Sequence, residues 1–555
     1  MQLSISVKVF LYTLTFIVLA FCIYPFYPLL SNALTLQVRG MSFTDSLLWT
    51  LKSKTTILAV KNTILVSCST ALLGTLVAVP LSWILTRAKI KKQKVWRTIF
   101  CLPYAIPPYI GAIAWINLAN PTNGLLNVAI PGLDLNIYTV GGLIWVMSSF
   151  FYTFILLSLV SAMDQIDPSL EEAARLSGAG PIKVFFDITL PVILPSLLSG
   201  VVLVLLAAAA SFGVPALIGG PAGIYLLTTK IYTYQKMGSI SGINIASILS
   251  FILLGLSIFA IWLNKILLRK KTCSVVSGKA PRMALVDLGR YGIFVQLFLF
   301  ILITLLFMLP LFGIFTSALS KVQGVISLSN FGLQNFYRVI FEVDEFTRAL
   351  GNSILLATIV ASVAVIVGLF LAYTILKTKL KFKNLIDPTI SIPYATPGTV
   401  LSLAIILAFG TKIFGLFSIY NTLSIIAIAY FVKYLNFSVR TISNGIGQID
   451  HSLAEAAQVS GASWSARMRT IWFPILKSSL VSSWFLVFMP CFSELTMTIL
   501  LTGPGLETLG TLLFQLQEYG DASGGGASVL ALIIVMVIIL INLLIKFLSK
   551  GKYGL

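Results

Sequence analysis

The chain has 555 residues, 58% of them hydrophobic and 10% charged, with a mean hydropathy of +0.98. Soluble domains carry roughly 25% charged and 45–50% apolar residues, so a water-soluble enzyme or a nucleic-acid-binding protein is excluded. The net charge of +20, from 38 Lys+Arg against 18 Asp+Glu, then reads as loop charge that sets membrane topology. The five cysteines are scattered without a CxxC pair, and the single histidine, His451, stands apart from them. No disulfide framework, thiolate metal site or cofactor is expected.

A spanning helix needs about 20 mostly apolar residues, and charged residues cut the chain into segments of that size. Lys8 precedes the first run, Val9 to Leu30, and no small-residue cleavage site follows it. A retained first helix is therefore expected rather than a cleaved leader. In chain order, spans are expected at 9–30, 62–86, 98–118, 138–162, 190–213 and 243–265, then at 292–316, 353–376, 388–410, 416–438, 478–501 and 527–547. That is an all-α polytopic membrane protein of about 12 transmembrane helices.

Basic residues gather in alternate loops. Arg87, Lys89, Lys91, Lys92, Lys94 and Arg97 follow the second span, whereas residues 119–137 contain no Lys or Arg. Arg269, Lys270 and Lys271 follow the sixth, and Lys377, Lys379, Lys381 and Lys383 the eighth. Short loops rich in Lys and Arg stay in the cytoplasm, which places both termini there.

The two groups of six spans are repeats. Asn62-Thr63-Ile64 returns as Asn352-Ser353-Ile354, and Leu102-Pro103-Tyr104-Ala105-Ile106-Pro107 as Ile392-Pro393-Tyr394-Ala395-Thr396-Pro397, both 290 residues later. Each group starts on the same side, so the repeats are parallel, about an axis along the membrane normal. The expected division is a first repeat over 1–265, a cytoplasmic linker over 266–291 and a second repeat over 292–555.

A longer match lies between the fourth and fifth spans of each repeat. The first copy runs from Asp167-Pro168 through Glu171-Glu172-Ala173-Ala174 to Gly178, then Ile188-Thr189-Leu190-Pro191. The second runs from Asp450-His451 through Ala454-Glu455-Ala456-Ala457 to Gly461, then Ile471-Trp472-Phe473-Pro474, 283 residues on. Asp167 and Asp450 suit a helix N-cap, and Pro168 the first helical position. Gly178 and Gly461 suit the positive φ that ends a helix. Pro181 and Ser463 suit the start of a second short helix reaching the membrane at Pro191 or Pro474. The expected product is a protruding helix–turn–helix, twice per chain.

The pattern E-A-A-x3-G-x9-I-x-L-P resembles the cytoplasmic motif of binding-protein-dependent ABC importer permeases. The first copy matches in full, and the second carries Phe473 in the leucine place. The resemblance implies a type I ABC importer permease fold in a bacterial inner membrane. Glu172, Ala173, Ala174 and Gly178, with Glu455, Ala456, Ala457 and Gly461, would form two docking sites. Their implied partners are two copies of an ATP-hydrolysing subunit, and an extracytoplasmic binding protein would deliver the substrate. The chain lacks a G-x-x-x-x-G-K-[ST] loop, so it is not expected to be an enzyme.

Candidate pathway residues lie where the fifth span of each repeat ends, at Phe212 and Pro215 in the first and at Ser493 and Glu494 in the second. An acidic side chain at membrane depth is costly and suggests function, although a carboxylate bonded to Thr or Ser neighbours would also explain Glu494. Lys433 is expected to snorkel toward the cytoplasm. Proline in spans three and nine implies kinks, for packing or for gating. An ion-coupled secondary transporter is the alternative class, but it needs midplane titratable groups that these spans hardly supply. The runs around Pro103, Phe212 and Glu494 resemble those of ferric-iron importers, with thiamine and 2-aminoethylphosphonate permeases also similar.

Overall fold

Lipid offers no partner for backbone N–H and C=O groups, so apolar runs of this length must satisfy them within helices. In the computed structural model, which describes residues 4–35, 40–268, 285–410, 418–520 and 524–548, they do. Of His451, Ala454, Glu455 and residues 546–548 only the backbone is described. Among the described residues there are no strands, only two isolated bridges, Ala88 with Val286 and Ser320 with Phe331.

Ten described helical segments are long and apolar enough to cross a membrane, from Ile5–Leu34 to Gly526–Ile545. The expected spans at 98–118 and 388–410 are not straight helices. Gln93–Ala105 meets Pro108–Ala119 at 97°, and Lys383–Ala395 meets Gly398–Phe409 at 107°, so the number of spans reaches 12 only when each bent pair counts as one. The cause is local. A residue before proline is pushed out of the helical region, and Ile106 and Thr396 take ψ of 127° and 133°. Pro107 and Pro397 follow in the same extended conformation.

The fifth spans also differ from expectation. The short helix after Gly178 does not stop at Pro191. It continues as Pro181–Ala210, and its counterpart as Trp464–Phe492. A proline inside a helix lacks one N–H and clashes with the carbonyl four residues back. One π-helical turn precedes each proline, at Phe185–Thr189 and Met468–Trp472, and such a bulge lets the helix run on. Each motif loop thus joins a single rod long and apolar enough to cross a membrane.

The helices Lys54–Arg87, Val140–Asp164 and Leu190–Ala210 pack on one another, as do Asp344–Lys377, Leu423–Gly447 and Phe473–Phe492. Hydroxyls join them, with Ser438 Oγ 2.7 Å from Ser483 Oγ and Ser158 Oγ donating to the Ser196 carbonyl at 2.9 Å. The outermost helices are exchanged. Phe26–Leu34 packs on Gly398–Phe409, and Leu309–Leu319 packs on Pro108–Ala119. Each broken span therefore rests against the first helix of the opposite repeat.

Candidate coupling loops and translocation pathway

The two cytoplasmic-motif loops form as their residues dictate. Asp167 accepts the Ser169 N–H at 3.0 Å and Asp450 that of Ser452 at 2.9 Å, capping Pro168–Leu176 and His451–Val459. Those bonds from Ser169 hold the exposed Asp167 carboxyl below the ordinary aspartate range. Gly178 and Gly461 take φ of +85° and +81°. The Ala179 N–H then reaches the Ala174 carbonyl and the Ala462 N–H that of Ala457, both at 3.0 Å. These are Schellman ends, which need the left-handed conformation that glycine supplies.

The loops leave their small residues open. Ala173, Gly178, Ala456 and Gly461 are exposed, while Glu172, Ala174 and Ala457 are half-buried. The Glu455 side chain lies outside the described residues. Beside the glycines, Leu176 and Val459 are 90% and 89% exposed.

The carboxylate that anchors the first loop is Glu171, a role the sequence reading did not assign to it. Arg87, at the end of Lys54–Arg87, donates its Nε to both Glu171 oxygens at 3.0 and 3.1 Å and an Nη to the Met163 carbonyl at 2.9 Å. Thr189 Oγ1, inside the π turn, donates to Glu171 Oε1 at 2.8 Å. Arg175 lies 3.6 Å from the same carboxylate. The Arg87 and Glu171 side chains are 3% and 1% exposed. One carboxylate thus joins the loop, two spans and the rod. The second loop is held differently. Lys377 Nζ lies 5.3 Å over the Trp472 ring, Arg467 donates to Gln458 at 2.7 Å, and Trp464 packs against Phe370 and Phe10. A signal for this was present: Arg87 and Glu171 both change across the repeat, to Lys377 and Ala454.

Deeper in, four irregular segments meet: the two bends and the two ends of the rods. Tyr109, just past the first bend, donates its hydroxyl to the Ser493 carbonyl at 2.9 Å. Gly213 lies so close to Tyr109 that an added Cβ would stand 2.6 Å from Tyr109 Cβ. Past the second bend, Ser402 Oγ donates to the Met497 carbonyl at 3.2 Å.

Glu494 is buried and fully bonded. It accepts the Met497 N–H at 2.9 Å, the Thr498 N–H at 2.9 Å and the Thr498 hydroxyl at 2.7 Å, so it caps the turn where the second rod breaks. Lys433 does not snorkel. Its ammonium donates to the Tyr394 carbonyl at 2.9 Å and to the Thr396 carbonyl, two acceptors freed by the second bend. Ser493 and Glu494 line a cavity of about 380 Å³ with Tyr104, Tyr394 and the prolines of the first bend. Phe212 lines a separate cavity of about 420 Å³ with Tyr225, Tyr232 and Glu518, its ring 5.0 Å from that of Tyr232 and 5.9 Å from that of Phe514. Pro215 is buried and lines neither cavity.

Two long rods rising from paired cytoplasmic-motif loops, with broken helices at membrane depth, define a transport permease. Residues 71–272 and 364–551 match the family described as binding-protein-dependent transport system inner membrane component, and the chain belongs to it. A member of that family is a membrane component without enzymatic activity of its own; its partners are a separate ATPase and an extracytoplasmic binding protein. The chain is 25% identical to the ferric transport system permease protein FbpB of Actinobacillus pleuropneumoniae, over 85% of this chain and 69% of that protein. It is 27% identical to the putative 2-aminoethylphosphonate transport system permease protein PhnV of Salmonella paratyphi A, over 42% of this chain and 86% of that one. A solved structure of a bacterial ABC transporter that imports alginate aligns with 48% of this chain and 96% of its own, at 18% identity and a TM-score of 0.40.

Proposed function

We propose that this chain is the complete membrane permease of an ATP-driven importer, and that its cargo is ferric iron released by an extracytoplasmic binding protein. The observation that carries the first part is the presence of two capped, glycine-terminated loops, each continuous with a membrane-entering rod, in one chain. On this reading 1–265 and 292–555 are the two halves, joined by a linker at 266–291, with both termini in the cytoplasm. Glu172, Ala173, Ala174 and Gly178, with Glu455, Ala456, Ala457 and Gly461, present the docking faces, one ATPase subunit to each. Closure of the ATPase pair moves the rods, and the breaks at Phe212–Pro215 and Ser493–Glu494 rearrange at their far ends. Substrate then passes from the cavity beside Phe212 to the one beside Glu494.

The iron assignment is supported by the resemblance to ferric permeases, several of which align over more than four-fifths of this chain. A hard trivalent ion prefers oxygen donors, so tight capture falls to the binding protein and the permease offers only a passing path. The test is to purify the cognate binding protein and determine its ligand by elemental and mass analysis. Iron is the expected result; thiamine or an aminoethylphosphonate without iron would overturn the cargo.

A further inference from the structure

The N-terminal helix Ile5–Ile23 lies along the second bent pair, and the bend leaves it incompletely covered. Near one end, Tyr12 packs edge-on to Phe382 at 6.4 Å, and its hydroxyl accepts the Lys381 N–H at 3.4 Å. Near the other, Phe21 and Tyr24 meet Phe409 at 6.0 and 5.7 Å. Between these contacts Gly398–Phe409 has turned away by 107°. What remains is a groove of about 670 Å³ whose walls include Phe16, Leu19, Ala20, Ile23 and Leu385. Phe16 is 75% exposed there.

The groove has a length and a charged end. From Tyr12 to Tyr24 the helix rises roughly 18 Å, about one leaflet of a ~30 Å hydrocarbon core. At the Tyr12 end stand three exposed cations, Lys8 one turn earlier on the same face and Lys379 and Lys381 in the adjoining loop. Asp387, the acid close by in sequence, lies 3.8 Å from Arg440. Ring contacts bound the groove at both ends, and the cations stand at one of them. Basic residues at the membrane surface beside a crevice between helices recognise anionic headgroups.

We propose that this groove binds one acyl chain of an anionic phospholipid, with its phosphate held by Lys8, Lys379 and Lys381. The same helix reaches the second coupling loop, since Phe10 packs on Phe370 at 5.2 Å and on Trp464 at 6.4 Å. A bound anionic lipid therefore braces the second loop, which carries Ala454 where the first has Glu171. This site does not depend on the cargo or on the ATPase assignment.

The test is native mass spectrometry of the purified full-length chain with phosphatidylglycerol and, separately, phosphatidylcholine. The wild type should retain phosphatidylglycerol in preference. Each basic residue near an anionic surface contributes roughly five-fold, so the triple change Lys8→Gln, Lys379→Gln, Lys381→Gln should lower retention on the order of a hundred-fold. Ala20→Trp fills the groove without altering charge and should lower it as well. Equal retention of both lipids by the wild type, or undiminished phosphatidylglycerol on the Ala20→Trp chain, would overturn the proposal even if the triple variant fails to fold.

Discussion

Arg87 and Glu171, 84 positions apart, form a buried ion pair in which one guanidinium Nε serves both carboxylate oxygens at 3.0 and 3.1 Å. Two charges taken out of water lose much of their hydration, and their attraction offsets that loss only when the remaining hydrogen-bonding groups are also satisfied. Here the Met163 carbonyl and the Thr189 hydroxyl help to do so. The pair therefore holds the first motif loop in one register against the rod that continues from it.

Removing one partner of a buried pair leaves the other charge uncompensated, at about 3–5 kcal/mol. Glu171→Ala should loosen residues 168–176, read as faster amide hydrogen exchange there, with transport falling in parallel. The paired change Arg87→Met, Glu171→Leu should recover much of the protection. In the second half Lys377→Met removes a cation–π contact and the attraction of Lys377 to Asp450, and should cost less, about 1–2 kcal/mol. Equal loosening of both loops by their respective variants would contradict the asymmetry.

Gly178 and Gly461 have no heavy atom within 4 Å of an added Cβ, so the constraint on them is conformational. Alanine at either position should cost roughly 1 kcal/mol through the left-handed backbone alone. Gly178→Asp adds a charge to the exposed loop, the proposed ATPase face, and should abolish uptake at unchanged membrane abundance. Wild-type uptake by that variant would remove the first loop from the coupling mechanism.

Glu494 separates two roles by chemistry. Glu494→Ala leaves the Met497 and Thr498 donors without their acceptor, at about 1–3 kcal/mol for each group left unsatisfied, and should lower the melting temperature. Glu494→Gln keeps an acceptor oxygen and should fold normally while slowing uptake, if the carboxylate also meets the passing substrate. Unchanged transport by a folded Glu494→Gln chain would leave the residue a cap and nothing more.

Ser463 caps the second half of its loop and is exposed. A cysteine there, or in the 266–291 linker, should react with an impermeant thiol reagent only in inside-out vesicles. Labelling of Ser463→Cys in intact cells would reverse the orientation.

Much of this was legible in the sequence because the physics is local. The caps at Asp167 and Asp450 and the left-handed glycines lie where short-range rules put them. Proline signalled the bends at Pro107 and Pro397, but not that each would turn a span through about a right angle, because that needs two successive residues in the extended conformation and an ordinary proline kink needs none. The continuity of the rods past Pro191 and Pro474 was hidden, since a π turn has no residue signature. Glu171 was missed for a different reason. Of two adjacent glutamates the motif marks the outer one, and only the fold brings Arg87 to the inner.

The central claim, that one chain supplies both halves of the permease, is tested most directly by the mass of the intact complex. Native mass spectrometry should give one copy of this chain for two ATPase copies. Two copies of this chain in the active complex would contradict it.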